Sequence, residues 1–413
     1  MNVKIEPSSI SGEITAPPSK SYAHREIILA CLAGSECVIK GVGNSDDVKA
    51  TINCMRSLGA NCVCDGCDLI VKGFTRKEEA TLDCNESGST LRFLLPVSAA
   101  LGAKTRFLGT KKLLSRPSET LIKCLNERGA DIDSFCVNGM VNGGKFFIDA
   151  SVSSQYISGL LIAATLMKND VEVHLLGKEV SSPYIDITID VLSSFSIKVE
   201  KTSYGYFVKG GQKLLAPKVI TVEGDYSGSA FFLAAGALGK GVTVNNLNPS
   251  SKQGDKKFLE VLKLVGAGIE WNKDSVTVCK GALNAITVDC DDIPDLAQAI
   301  AVTTSFAFGE SALKGLTRLR YKESDRLKAI CDMLSVSGIK CESNGGELLI
   351  RGGKPSGGVF DSGNDHRTAM ACAILATFAS GESVINQAEA VKKSYPNFYD
   401  DLIKIGGKVY VDI

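Results

Sequence analysis

The sequence predicts an α/β fold of two domains, each built from three βαβαββ units, and three observations lead there. A short strand, a small polar loop, an alanine-rich apolar helix and a β-branched strand recur along the chain. The polar loops begin at Pro17, Glu86, Ser151, Gly224, Asp291 and Gly363, at intervals of 69, 65, 73, 67 and 72 residues, so six periods account for all 413 residues. The second half of the pattern recurs as well, as an amphipathic helix, a glycine and two short strands around a turn. Finally, the chain opens on an unmatched strand at Val3 to Glu6 and stops one strand short at Val409-Tyr410-Val411-Asp412-Ile413. The first strand is therefore expected to complete the sixth unit, which brings both termini into one domain.

Each element has a local reason. The first polar loop, Pro17-Pro18-Ser19-Lys20-Ser21-Tyr22-Ala23-His24-Arg25, runs into Ile27, Ile28, Ala30, Cys31 and Leu32, which reads as the start of an apolar helix. Lys20 and His24 then stand one turn apart, as do Ser21 and Arg25. Helix ends follow at Leu58-Gly59-Ala60, Arg128-Gly129-Ala130, Val265-Gly266-Ala267, Ser337-Gly338-Ile339 and Ile405-Gly406-Gly407, because glycine just past a helix takes the left-handed conformation without penalty. The third unit departs, with Ser194-Phe195-Ser196 at that place. Asp65-Gly66, Asn138-Gly139 and Asn344-Gly345-Gly346 are hairpin turn signals between β-rich runs. Domain boundaries fall near Ala16 to Ser19 and near Val222 to Asp225. Residues 1–17 with 224–413 then form a discontinuous domain and residues 18–223 an inserted one. Two crossings at one hinge make the space between them the expected ligand site.

Composition limits the function. With 46 basic and 46 acidic residues and a mean hydropathy of +0.10, the chain is globular and neutral, which argues against a nucleic-acid or membrane surface and makes any anion binding local. The N-terminus, Met-Asn-Val-Lys-Ile-Glu-Pro, has charges where a signal peptide needs apolar residues, and no apolar run is long enough to cross a bilayer. A soluble, cytoplasmic protein is the expectation. The fourteen cysteines are scattered through apolar helix and strand patterns and read as reduced. Cys62, Cys64 and Cys67 come closest to a metal cluster, but Asp65-Gly66 between them signals a turn and no histidine is near. No metal site is expected.

The polar loops are individually specialised, whereas a purely structural repeat would fill them with interchangeable caps. The first holds Lys20, Ser21 and Arg25. In the second, Glu86-Ser87-Gly88-Ser89-Thr90-Leu91-Arg92, a glycine flanked by hydroxyls lets a ligand approach backbone N–H groups. Ser153-Ser154-Gln155 is polar and uncharged, suited to hydroxyls or phosphate oxygens. The fifth loop has Asp295 after Ile293-Pro294, and the sixth has Asp365-His366-Arg367. Between loops lie Arg116-Pro117 after Lys111-Lys112, the run Tyr321-Lys322-Glu323-Ser324-Asp325-Arg326, and Lys392-Lys393-Ser394-Tyr395-Pro396. Taken alone, each could be an ordinary helix start with solvated charges; six loops at six helix N-termini can converge on one anion site.

These motifs, together with Ser181, Pro183-Tyr184-Ile185-Asp186 and Gln253-Gly254-Asp255, give the chain a full-length resemblance to the 5-enolpyruvylshikimate-3-phosphate synthase family of enolpyruvyl transferases. The resemblance implies an inside-out α/β barrel in each domain, helix N-termini aimed at the interdomain cleft, and no cofactor. It implies transfer of the enolpyruvyl group of phosphoenolpyruvate to the 5-hydroxyl of shikimate 3-phosphate, in aromatic amino acid biosynthesis, by addition and elimination through a tetrahedral intermediate. By matching positions, shikimate 3-phosphate would be held by Lys20, Ser21, Arg25, Ser153, Ser154, Gln155, Ser181, Tyr184, Asp295 and Lys322. Phosphoenolpyruvate would be held by Lys20, Gly88, Arg116, Gln155, Arg326, Arg367 and Lys393. Asp295 would be the base at the attacking hydroxyl, and Glu323 or Lys20 the proton carrier at the methylene. A monomer and sensitivity to glyphosate belong to the same expectation.

The chain departs from the commonest family pattern at Pro18, Glu86, Ser89, Phe93, Ser182 and Arg318, where glycine, asparagine, threonine, proline, lysine and asparagine are usual. Arg318 is expected to compensate Glu86 across the cleft, and Ser89 and Phe93 to alter glyphosate sensitivity. The rival readings are enolpyruvyl transfer to UDP-N-acetylglucosamine, which typically pairs Lys-Asn with a reactive cysteine, and a non-catalytic repeat protein that binds anions. Cys124 lies inside an apolar helix pattern and reads as packed rather than reactive.

Overall fold

The computed structural model describes residues 1–412, and the chain divides into two compact units. One comprises Met1–Ser19 and the chain from Glu223 onward; the other is Lys20–Val222. Each holds three four-stranded sheets of one design. In the second repeat, Glu79–Asp83 runs parallel to Lys104–Leu108, which pairs antiparallel with Cys136–Val137, and that strand in turn pairs with Ile132–Asp133. Parallel neighbours need a long crossover, and the helix Gly88–Leu101 supplies it. The N-terminal strand Asn2–Glu6 lies antiparallel between Ser383–Asn386 and Lys408–Asp412, so it fills the last place in the sixth sheet. Ile413, the end of that expected strand, lies outside the described residues.

The repeats at the two crossings exchange their leading strands, which the linear order of the repeats hides. Gly12–Thr15 precedes the first helix in sequence yet lies parallel to Val242–Asn245, in the sheet of the fourth repeat. Val219–Thr221 lies parallel to Cys37–Lys40 and completes the first. Each strand stays in its own unit while the next helix is built in the other. The crossing segments are fastened to each other where they meet: the Ser19 amide donates to the Glu223 carbonyl at 2.8 Å, and the Asp225 amide donates to the Pro17 carbonyl at 2.7 Å. A side chain on Gly224 would put its Cβ 1.9 Å from the Asn246 carbonyl, so only glycine fits that approach.

The helix after each polar loop is buried nearly all round. Every residue of Tyr226–Leu238 is buried, as are all but the last of His366–Phe378. Alanine, serine and glycine on these helices allow close packing: a Cβ on Gly159 of helix Ser154–Ala164 would lie 2.5 Å from the Arg92 carbonyl of helix Gly88–Leu101. The second helix of each repeat, such as Asp46–Leu58 or Arg326–Val336, keeps an exposed face. Gly59, Gly129, Gly266, Gly338 and Gly406 all take φ between +77° and +117° at helix ends. In the third repeat Ser196 adopts φ +66° instead.

One turn expectation is corrected. Asn138-Gly139 follows the second strand of its hairpin; the turn is made by Ser134 and Phe135, at φ +48° and +60°. Positive φ at both central residues matches the right-handed strand twist, even though neither residue is the glycine or asparagine that usually signals it. Among the described residues, no helix is long and apolar enough to cross a membrane.

Candidate active site

In the Lys20–Val222 unit, three polar loops sit at the starts of three buried helices. Lys20 opens the helix Lys20–Ala33, and its ammonium pairs with Asp47 at 2.6 Å. Ser87 caps Gly88–Leu101 by accepting from the Thr90 amide, and Ser153 caps Ser154–Ala164 by accepting from the Gln155 amide. Ser181, at φ +53°, precedes the helix Ser182–Ser194. Gln155 has its amide orientation fixed: its carbonyl accepts from Arg92 at 2.7 Å and its NH2 donates to Ser89 at 2.9 Å. Arg92 also donates to the Pro117 carbonyl, which accepts from the Tyr156 hydroxyl too. Those two bonds hold the break between the short helices Lys111–Leu114 and Glu119–Asn126, where Arg116 sits. A Cβ on Gly88 would meet the Arg116 guanidinium at 2.9 Å, so the glycine makes room for that cation at the helix N-terminus.

Arg25 is anchored by the surrounding protein. It is 2% exposed, and its guanidinium donates to Thr188, to Ser158 and to the carbonyls of Ser21 and Tyr184, at 2.6 to 3.2 Å. Its carbon lies 4.8 Å from the centre of the Phe93 ring. Burial lowers its proton affinity. The charge therefore ties the loops of the first and third repeats together from below. His24 is buried beside it; burial, then Lys20 and Arg25, hold it neutral, and its Nδ1 lies 2.7 Å from the Thr51 hydroxyl.

The other unit gathers the charged residues. Asp295, in the tight turn Pro294–Leu296, is 16% exposed and meets three cations: Lys322 at 3.3 Å, Arg326 at 2.9 Å and Arg367 at 3.1 Å. Burial opposes its ionisation, but Arg367, Lys322 and Arg326 together hold the carboxyl well below the usual range. Arg326 begins the helix Arg326–Val336, is almost wholly buried, and also donates to Glu323 at 2.6 Å and to Asp365 at 2.8 Å. Asp365 is fully buried and caps the helix His366–Phe378; despite burial, Arg326 draws it down to about 2. Arg367 reaches both the carbonyl and the carboxylate of Asp295 and donates to the Ser227 hydroxyl at 2.6 Å. Lys393 donates to the Asn364 carbonyl at 2.5 Å, beside the same loop.

Asp295, Lys322, Glu323, Arg326 and Arg367 thus form one network, with Lys393 at its edge; Lys20, Gly88, Ser153, Ser154, Gln155, Ser181 and Tyr184 stand at helix starts of the other unit, where the Arg116 guanidinium lies against Gly88. Arg318 donates to the carbonyl and carboxylate of Asp291. Cys124 is buried, and burial pushes its thiol up to about 12, so it is packed rather than reactive.

The model of the family described as EPSP synthase (3-phosphoshikimate 1-carboxyvinyltransferase) matches residues 5–402. The chain belongs to the EPSP synthase family. Among its curated relatives, the 3-phosphoshikimate 1-carboxyvinyltransferase of Clostridium perfringens is 38% identical, with 98% of each chain covered. That of Thermococcus kodakarensis is 40% identical, over 96% of this chain and 98% of the relative. A solved structure of EPSP synthase from Acinetobacter baumannii superposes with a TM-score of 0.83 at 24% identity, covering 99% of this chain and 100% of that one. The fold is the two-domain α/β architecture of EPSP synthases.

Several residues joined to these clusters lie outside the expected EPSP synthase set. Asp47 takes the Lys20 ammonium, Ser227 and Asp365 hold the arginines, and Arg92 with Ser89 fixes Gln155. Asp365 could have been found as the residue before a helix that opens His-Arg. Nothing in the sequence pairs Asp47 with Lys20, 27 residues away.

Proposed function

We propose that the protein is a 3-phosphoshikimate 1-carboxyvinyltransferase that transfers the enolpyruvyl group of phosphoenolpyruvate to the 5-hydroxyl of shikimate 3-phosphate and releases phosphate. The observation that carries this reading is the Asp295 carboxylate held among Lys322, Arg326 and Arg367, in a chain that matches the family along nearly its whole length. Both substrates are polyanions and repel each other, so preset cations and N–H groups are the chief requirement of the site. Phosphoenolpyruvate takes the Arg116, Arg326, Arg367 and Lys393 cations, with Lys20 and Gln155, and approaches the Gly88 backbone. Shikimate 3-phosphate takes Lys20, Ser21, Arg25, Ser153, Ser154, Gln155, Ser181, Tyr184, Asp295 and Lys322.

The three cations make Asp295 a weak base as it stands. When the substrate's phosphate and carboxylate draw those cations toward themselves, the carboxylate regains basicity and accepts the proton of the 5-hydroxyl as that oxygen attacks C2 of phosphoenolpyruvate. Glu323 or Lys20 delivers a proton to the methylene carbon, giving a tetrahedral ketal phosphate. Loss of that proton and expulsion of phosphate restore the double bond on the transferred group. No covalent enzyme intermediate is needed.

The test is phosphate release from phosphoenolpyruvate with each acceptor. Turnover with shikimate 3-phosphate and none with UDP-N-acetylglucosamine is expected. The reverse preference would overturn the assignment, and calorimetric binding of both anions without product would make this an anion-binding protein.

A further inference from the structure

The Gln253-Gly254-Asp255 segment stands against the charged cluster without a part in the chemistry above. Gln253 accepts from the Tyr226 amide and donates to Glu223 and to the Gly224 carbonyl, which places Asp255 under the start of the helix Tyr226–Leu238. The Asp255 carboxylate is 4% exposed and accepts a 2.5 Å hydrogen bond from the Ser227 hydroxyl. That hydroxyl, with its proton committed to Asp255, accepts from Arg367 Nη2 at 2.6 Å. The same Nη2 lies 3.1 Å from Asp295. Ser227 and Asp295 therefore share the two N–H donors of one guanidinium nitrogen, and the shorter bond goes to the serine.

We propose that Asp255 is a positioning residue: acting through Ser227, its carboxylate keeps Arg367 from collapsing onto Asp295 and holds it in the orientation that grips phosphoenolpyruvate. This rests on the enolpyruvyl-transfer reading above. A charged Asp255 polarises the serine hydroxyl and strengthens its pull on Arg367. Once Asp255 is neutral, Arg367 shifts to the remaining carboxylate, which both withdraws it from the substrate and lowers the basicity of Asp295. The groups facing Asp255 are Ser227 and Asp225 of the capped helix start, Arg367 and Asp295. On its own segment, Lys256 reaches the Pro249 carbonyl and Lys257 lies by Asp292. Burial, followed by repulsion from Asp295, pushes the Asp255 carboxyl up to about 6.

The experiment measures kcat and both KM values from pH 5 to 9 for wild type, Asp255→Asn, Ser227→Ala and the double variant, with melting temperatures at pH 8. Each single change is expected to raise the phosphoenolpyruvate KM about tenfold, the loss of one charge-assisted hydrogen bond. The KM for shikimate 3-phosphate stays the same, and the double variant is no worse than either single one. Wild-type kcat/KM for phosphoenolpyruvate falls below about pH 6, where Asp255 gains its proton; Asp255→Asn lacks that limb. A buried carboxyl with a raised pKa costs stability when ionised, so Asp255→Asn melts at or above the wild-type temperature at pH 8. An unchanged phosphoenolpyruvate KM with the acid limb intact would overturn the proposal. So would a lower melting temperature with both KM values raised alike, the mark of a merely structural role. Ser227→Ala cuts the same link from the other side and decides the matter even where Asp255→Asn fails to fold. A wild type that makes no product removes the functional reading and this inference with it; an active wild type with an indifferent Asp255→Asn removes the inference alone.

Discussion

At the scale of single residues, the site spends its carboxylates in two ways. Asp295, the proposed base, is shared by three cations, while Asp365 holds the Arg326 guanidinium and caps the helix His366–Phe378. Asp295→Ala is expected to lower kcat by about 10²- to 10⁴-fold, the usual worth of positioned proton transfer, while phosphoenolpyruvate still binds. Steady-state turnover alongside calorimetry checks this, and near-normal turnover would take Asp295 out of the base role. Phe93 is a second test. Its ring carries the Arg25 guanidinium, so Phe93→Leu keeps an apolar side chain there but removes the π face. A loss of about 1 kcal/mol in urea unfolding is expected, and glyphosate titration of the same variant shows whether this ring sets inhibitor sensitivity.

At the scale of elements, the close crossing of the helices Gly88–Leu101 and Ser154–Ala164 sets where Ser89 and Gln155 meet. Gly159→Ala would force its methyl to 2.5 Å from the Arg92 carbonyl, a backbone contact that cannot swing aside. Overpacking of this kind costs about 1–3 kcal/mol, and because Arg92 holds Gln155, the variant should lose substrate affinity as well as stability. Chemical denaturation and substrate titration together check it. The elements themselves were largely legible in the sequence: the 70-residue period, the glycine caps and the terminal strand that completes the sixth sheet all leave composition signals. Ser134-Phe135 as a turn, and the exchange of Gly12–Thr15 with Val219–Thr221, left none, since neither a strained backbone nor the choice between two parallel partners changes the residue pattern. In the site, loop residues at helix starts could be named. Whether a cation faces outward or inward, as with Arg25, depends on packing that sequence spacing does not encode.

At the scale of the whole molecule, pH reports on the buried charges. Asp365 has its folded pKa held at about 2, below the ordinary carboxyl value of 3.8. Its contribution to stability is therefore present above about pH 4 and is lost as pH falls through 2, a slope worth about 2 kcal/mol. Asp255, with its raised pKa, acts in the opposite direction. Asp365→Asn is expected to be less stable at pH 7 by about 3 kcal/mol, because a buried arginine loses a charged partner, and to show a flatter acid unfolding profile. Circular dichroism from pH 7 to 2 distinguishes the two slopes.

The fastening of Ser19 to Glu223 and of Pro17 to Asp225 has a consequence for how the gene can be cut. Lys20–Val222 enters and leaves the chain at two adjacent points, and its three sheets need no strand from elsewhere. It is a cassette. Deleting it and closing the gap between Ser19 and Glu223 with a short glycine linker should leave the remaining three sheets intact, while the cassette expressed alone should fold to its own three. Because Asn2 already pairs with Asp412, the chain should also tolerate new ends at the gap once the old ones are joined.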